Sequence, residues 1–116
     1  MTRPGPTGDE LVEMLAALSN PLRLRIVATL AGGRDYVSHL AREIGVSRPL
    51  LHMHLQRLEA VGLITGSLEL SVDGKAMKYY EVTDFALQIT PAAVAQAAKT
   101  LTNRDPEKGS ARKEQS

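Results

Sequence analysis

Residues 46–64 read VSRPLLHMHLQRLEAVGLI, and their spacing predicts a helix with two unlike faces. Ser47 can cap it by accepting a hydrogen bond from a backbone N–H two or three positions on. Pro49 falls in the first turn, where its missing N–H goes unneeded. Leu51, Leu55, Leu58 and Val61 recur at spacings of four, three and three, an apolar stripe for burial. Gly62 stands where a helix stops in a left-handed conformation. The opposite face carries Arg48, Pro49, His52, Met53 and Gln56, which include donors and a thioether but no acid. Such a helix suits the major groove of double-stranded DNA. It also suits one more amphipathic helix in a small bundle, so the flanking segments decide.

Upstream, Leu11, Val12, Met14, Leu15 and Leu18 predict a helix from Asp9, with acids in its first turn favouring the helix dipole. Asn20 and Pro21 restart the chain as a capping residue followed by proline at the first helical position. The second helix runs to Ala31, turns Leu22, Ile26, Val27 and Leu30 inward, and ends at Gly32 and Gly33. A short helix over about residues 38–44 buries Leu40, Ala41 and Ile44 and ends at Gly45. Only Val46 and Ser47 then precede the opening stretch. Two short helices joined by a tight glycine turn make a helix-turn-helix.

Downstream the period changes from 3.6 to 2. Leu68, Leu70 and Val72 alternate with Glu69 and Ser71, then come Asp73 and Gly74, then residues 75–82 with Tyr80 and Val82 on one face. Asp-Gly between alternating runs predicts a hairpin, and a hairpin directly after a helix-turn-helix is a wing. Lys75, beside the turn, is the wing's candidate phosphate contact, or else a solvated turn lysine. Thr90 and Pro91 open a last helix, PAAVAQAAKTL, whose stripe is Val94, Ala97, Ala98 and Leu101. Alanine favours helix but buries little, so this helix gains most by packing on another helix. Apolar helices near both ends predict a homodimer interface. The expected fold is mainly α with a small β-hairpin, a winged helix-turn-helix in the order α-α-α-α-β-β-α. The domain is expected over residues 9–102, with a disordered lead over 1–8 and a disordered tail over 103–116.

Composition narrows the function. With 116 residues, 43% of them hydrophobic and 23% charged, the chain reads as one globular domain. The absence of cysteine removes disulfides and thiolate metal sites and fits a cytoplasmic protein. No apolar run of about 18 residues is present, so no membrane span is expected. The net charge of +1 is unevenly spread. Residues 21–62 hold Arg23, Arg25, Arg34, Arg42, Arg48 and Arg57 against Asp35, Glu43 and Glu59, while residues 1–20 sum to −2. The positive field therefore lies around the candidate reading helix. The wing, residues 66–83, nets −1 (Lys75 and Lys78 against Glu69, Asp73 and Glu81). Catalysis is disfavoured: there is no cysteine nucleophile, no phosphate-cradling glycine loop and no HExxH motif.

The order of elements, together with ALSNPLRLRIVATL (residues 17–30) and HLAREIGVSRPLLHMHLQRLEAVGLI (residues 39–64), resembles the ArsR/SmtB family of winged-helix transcriptional regulators. The resemblance covers roughly residues 10–102. It implies a homodimer reading a two-fold symmetric, palindromic operator, usually as a repressor. The family's inducer sites do not carry over. Two cysteines that many members place at the start of the turn motif are Tyr36 and Ser38 here, and of a last-helix ligand set only Asp84 matches, with Ala86, Ala97 and Thr100 in the other places. His39 and Glu43, four apart, could chelate one ion or simply hydrogen-bond. Nitrogen and oxygen donors without sulfur favour nickel, cobalt or zinc, so a nickel- or zinc-responsive regulator is one expectation. His54 reads as a structural hydrogen-bonding histidine, and His52 as a base or phosphate contact, a solvated side chain or a metal ligand. The alternative function is a winged-helix protein-interaction module that leaves DNA alone, for which the acidic wing speaks.

Overall fold

The computed structural model describes residues 5–102. Its elements are α1 (Gly8–Leu18), α2 (Pro21–Ala31), β1 (Asp35–Tyr36), α3 (Val37–Ile44), α4 (Arg48–Ala60), β2 (Ile64–Leu70), β3 (Ala76–Val82) and α5 (Pro91–Ala98). This is a winged helix-turn-helix, mainly helical, as expected. One strand is added: β1 makes the hairpin a three-stranded antiparallel sheet in the order β1-β3-β2. Two residues carry no alternation to read, and β1 exists only because Asp35 and Tyr36 pair with Tyr80 and Tyr79 of β3.

The helix starts have local causes. Thr7 and Glu10 form a capping box: the Thr7 hydroxyl accepts the Glu10 N–H at 3.1 Å, and the Glu10 carboxylate accepts the Thr7 N–H at 2.9 Å. This corrects the expected lead over 1–8, since Thr7 and Gly8 belong to the start of α1. Residues 1–4 and the expected tail over 103–116 lie outside the described residues. Asn20 caps α2 by accepting from Leu22 and Arg23 at 2.9 and 3.1 Å, with Pro21 at the first position. α3 begins one residue earlier than expected, at Val37, capped by Tyr36 without a side-chain bond. Ser47 caps α4 as expected, accepting the Leu50 N–H at 3.3 Å. α4 closes through Gly62, whose φ of +80° lets Leu63 N–H reach back to the Leu58 carbonyl at 3.1 Å. α5 stops at Ala98 rather than Leu101, because Lys99, Thr100 and Leu101 make three-residue hydrogen bonds that tighten its end.

The chain divides into two compact units. One, described from Met14 to Ala86, holds the core. Ala17, Ile26, Leu30, Leu40, Ala41, Leu51, Leu55, Leu58, Leu63, Ile64 and Tyr80 are buried together. The leucine stripe of α4 is thus fully inside, and Val61 packs against its edge. Ala17 joins this core although it stands outside the apolar stripe expected of the first helix.

The second unit is described over residues 5–13 and 87–102. Here the start of α1 meets the end of α5. Gly8 N–H donates to the Thr100 hydroxyl at 2.8 Å, and Asp9 accepts from the Thr102 N–H at 3.2 Å and from its hydroxyl. A Cβ at Gly8 would sit 2.4 Å from the Ala97 carbonyl oxygen, so only glycine permits this approach. Leu11 and Ala97 are buried, but Val12, Ile89, Val94 and Leu101 remain exposed, Val12 by 57%.

Candidate nucleic-acid interface

α4 separates its side chains by the helical period. Leu51, His54, Leu55 and Leu58 point inside, while Arg48, Pro49, His52, Met53, Gln56 and Arg57 are exposed. The helix-turn-helix is built by α3 and α4 around Leu40, Ala41, Leu51 and Leu55. The turn between them works because Gly45 N–H and Val46 N–H both return to the Ala41 carbonyl, at 2.8 and 3.1 Å. Ser47, exposed at the start of α4, caps the helix and adds a hydroxyl beside Arg48.

Two of the six arginines counted in the positive field are committed to the protein itself. Arg23 donates through Nε to the Ala17 carbonyl at 2.6 Å, and its Nη1 lies 3.0 Å from His54 Nδ1. Because a guanidinium can only donate, His54 Nδ1 accepts and the imidazole proton sits on Nε2. Burial pushes the His54 pKa below its ordinary value, and the Arg23 charge adds to this. The structural role expected of His54 is what the geometry shows, since it is 7% exposed. Arg34 forms a two-pronged ion pair with Glu69, its Nη2 standing 3.1 Å from Oε1. That pairing raises the Arg34 pKa and lowers that of Glu69, in each case chiefly through their hydrogen bond. Arg25, Arg42, Arg48 and Arg57 are left exposed. Exposed Arg42, in the last turn of α3, and Arg57 were not among the sequence candidates. Arg57, one turn beyond Met53, was detectable from the helical period.

The wing is a hairpin in which Ile64 pairs with Val82 and Leu70 with Ala76. Its loop is longer than an Asp-Gly turn alone: Ser71 N–H donates to the Lys75 carbonyl at 2.7 Å, and Gly74 N–H to the Ser71 carbonyl at 2.9 Å. Val72, Asp73 and Gly74 therefore form a three-residue loop. The Ser71 hydroxyl donates to the Asp73 carboxylate and accepts the Lys75 N–H at 3.1 Å. The first of these bonds is the main reason the Asp73 pKa is lowered. Lys75 is exposed at the base of this loop.

A family described as a helix-turn-helix domain matches residues 18–66. An HTH-type transcriptional regulator of Methanocaldococcus jannaschii is 34% identical over 80 residues, 69% of this chain and 83% of that one. The HTH-type transcriptional repressor SmtB of Mycobacterium tuberculosis is 31% identical over 102 residues, 84% of this chain and 73% of that one. The chain belongs to the ArsR/SmtB family. As an ArsR/SmtB regulator it is a DNA-binding transcriptional protein and not an enzyme. Solved structures share its fold. The repressor BigR of Xylella fastidiosa matches with a TM-score of 0.56 and 25% identity over 78% of this chain and 79% of that one. A winged helix of Mycobacterium bovis described as homodimeric matches with 0.59 and 24% identity over 78% and 74%.

The expected metal ligands do not come together in this ArsR/SmtB chain. His39 Nδ1 lies 2.6 Å from Asp35 Oδ2, so its carboxylate partner is Asp35, at the start of β1, and not Glu43. Among the described residues no group of three or more His, Cys, Asp or Glu side chains is arranged to hold a metal ion. One ring nitrogen and one carboxylate do not fit nickel or zinc, which take four or more donors. No helix among the described residues is long and apolar enough to cross a membrane.

Proposed function

We propose that this ArsR/SmtB regulator is a cytoplasmic repressor that binds a palindromic operator as a homodimer. The observation that carries the reading is α4: a fully buried leucine stripe behind an exposed face that carries Arg48, His52 and Gln56. Ser47, Arg48, Pro49, His52, Met53 and Gln56 meet the major groove, where Arg48 can donate twice to a guanine edge and the Gln56 amide can donate and accept at an adenine edge. Lys75 on the wing meets phosphate. The unit from Met14 to Ala86 reads DNA. The other unit pairs with its twin through Val12, Ile89, Val94 and Leu101, whose exposed apolar side chains a second copy would cover.

A gel shift on the promoter region of the protein's own operon, run at two salt concentrations, tests the reading. Affinity should fall steeply with salt as counterions leave neutralised phosphates. Binding indifferent to salt, or no binding, would support a module that docks a protein instead. The reading includes no metal, because His39 has too few companions. Calorimetry with nickel and zinc checks this: a saturating heat that disappears in His39→Ala would overturn it.

A further inference from the structure

The sheet holds a connection that the reading helix does not use. Arg34 lies in the turn before β1, and Glu69 lies on β2, the strand farthest from β1 in the order β1-β3-β2. To join them the arginine crosses the central strand, and it does so lying on a ring: its guanidinium carbon is 4.4 Å from the centroid of Tyr79 on β3. Tyr79 pairs with Tyr36 across β1 and β3, their rings edge to face at 5.7 Å. The Ser67 hydroxyl, facing Tyr79 on β2, approaches the same Glu69 carboxylate at 3.5 Å. One side chain thus ties together three strands of which β1 contributes only two residues.

From this geometry we infer that Arg34 and Glu69, stacked on Tyr79, are the positioning residues that hold the wing at the angle from which Lys75 reaches DNA. The inference rests on the DNA-binding reading above. Two properties favour it over direct contact with phosphate. Both terminal nitrogens of Arg34, Nη1 and Nη2, donate to Glu69, and a planar fork on a carboxylate fixes direction as a lysine would not. The pair also answers the wing's acidity. Residues 66–83 net −1, and Arg34, from outside that stretch, brings the local sum to zero. The Glu69 charge is therefore balanced by a partner from outside the wing.

Fluorescence anisotropy on a duplex carrying the promoter of the protein's own operon decides the matter with five full-length variants. Arg34→Gln and Glu69→Gln should each weaken binding about fivefold, since both release the wing. The exchanged pair, Arg34→Glu with Glu69→Arg, should return to within about twofold of wild type. Lys75→Ala should weaken binding in wild type and have no further effect beside Glu69→Gln. Glu69→Gln binding as well as wild type, or better, would overturn the inference. So would a salt slope that drops by about one phosphate in Arg34→Gln alone, which would make Arg34 a phosphate contact. Amide hydrogen exchange supplies a readout without DNA: Glu69→Gln should speed exchange in β2 and leave α2 and α4 unchanged, and unchanged β2 exchange would refute the clamp. If wild-type protein ignores the duplex, the DNA reading fails, and the exchange result alone judges the clamp.

Discussion

At the scale of single residues, Arg48 and His54 sit on one helix and have opposite fates. Arg48 is exposed at the first position of α4, and Arg48→Ala should lose about 1–3 kcal/mol of discrimination between operator and unrelated duplex. Competitive gel shifts measure this, and unchanged preference would mean that another face reads the bases. His54 is buried and accepts from Arg23. Its folded pKa lies below the ordinary value of 6.5, so below about pH 6.5 the unfolded chain takes up a proton that the folded one refuses. Stability is then fully present above that pH and declines as the pH falls toward the depressed folded value. The slope contributed is at most about 1.4 kcal/mol per pH unit. Urea unfolding from pH 7.5 to 5 should show it, and His54→Gln should flatten that part of the curve.

At the scale of elements, the close approach of α1 and α5 turns an ordinary expectation around. Alanine normally favours a helix over glycine by about 1 kcal/mol. Gly8→Ala should nevertheless destabilise this protein, because the added methyl would collide with the Ala97 carbonyl and Leu101. Thermal unfolding checks the sign, and a raised Tm would show that the two helix ends separate freely. Thr7→Ala should cost about 1 kcal/mol through loss of the capping box. The helices and their caps were largely legible in the sequence. The α4 stripe, the Asn20 and Ser47 caps and the stop at Gly62 all rest on neighbours within about five residues. The Thr7 box was legible as a Thr-x-x-Glu word but lay inside a stretch whose prolines and glycines suggested disorder.

At the scale of the whole molecule, the proposed function requires a second copy. Val12→Asp or Leu101→Asp should leave the Met14–Ala86 unit folded, shift the protein toward monomer in light scattering, and weaken operator binding through loss of the second half-site. A monomeric wild type would contradict the proposed assembly outright. Leu68, exposed by 69%, shows that an alternating strand pattern alone does not mark the inner face: Leu68 and Leu70 share a sheet face with buried Ile64 yet lie beyond the helices that cover it.

Local spacing along the chain was enough for the helices, the turn between α3 and α4, the hairpin and the outward face of α4. Periodicity and capping act between residues three or four apart, and those spacings are written in the chain. Folding in three dimensions was needed to make Asp35 and Tyr36 a strand and to commit Arg23 and Arg34 to partners within the protein. It also decided that His39 faces Asp35 and that Gly8 is a contact. The β1 pairing and the arginine and glycine contacts join groups far apart in sequence, and distance along a chain conceals them until folding brings them within hydrogen-bonding reach. His39 and Asp35 are only four residues apart, but the helix starts between them, so the helical period could not predict the pair.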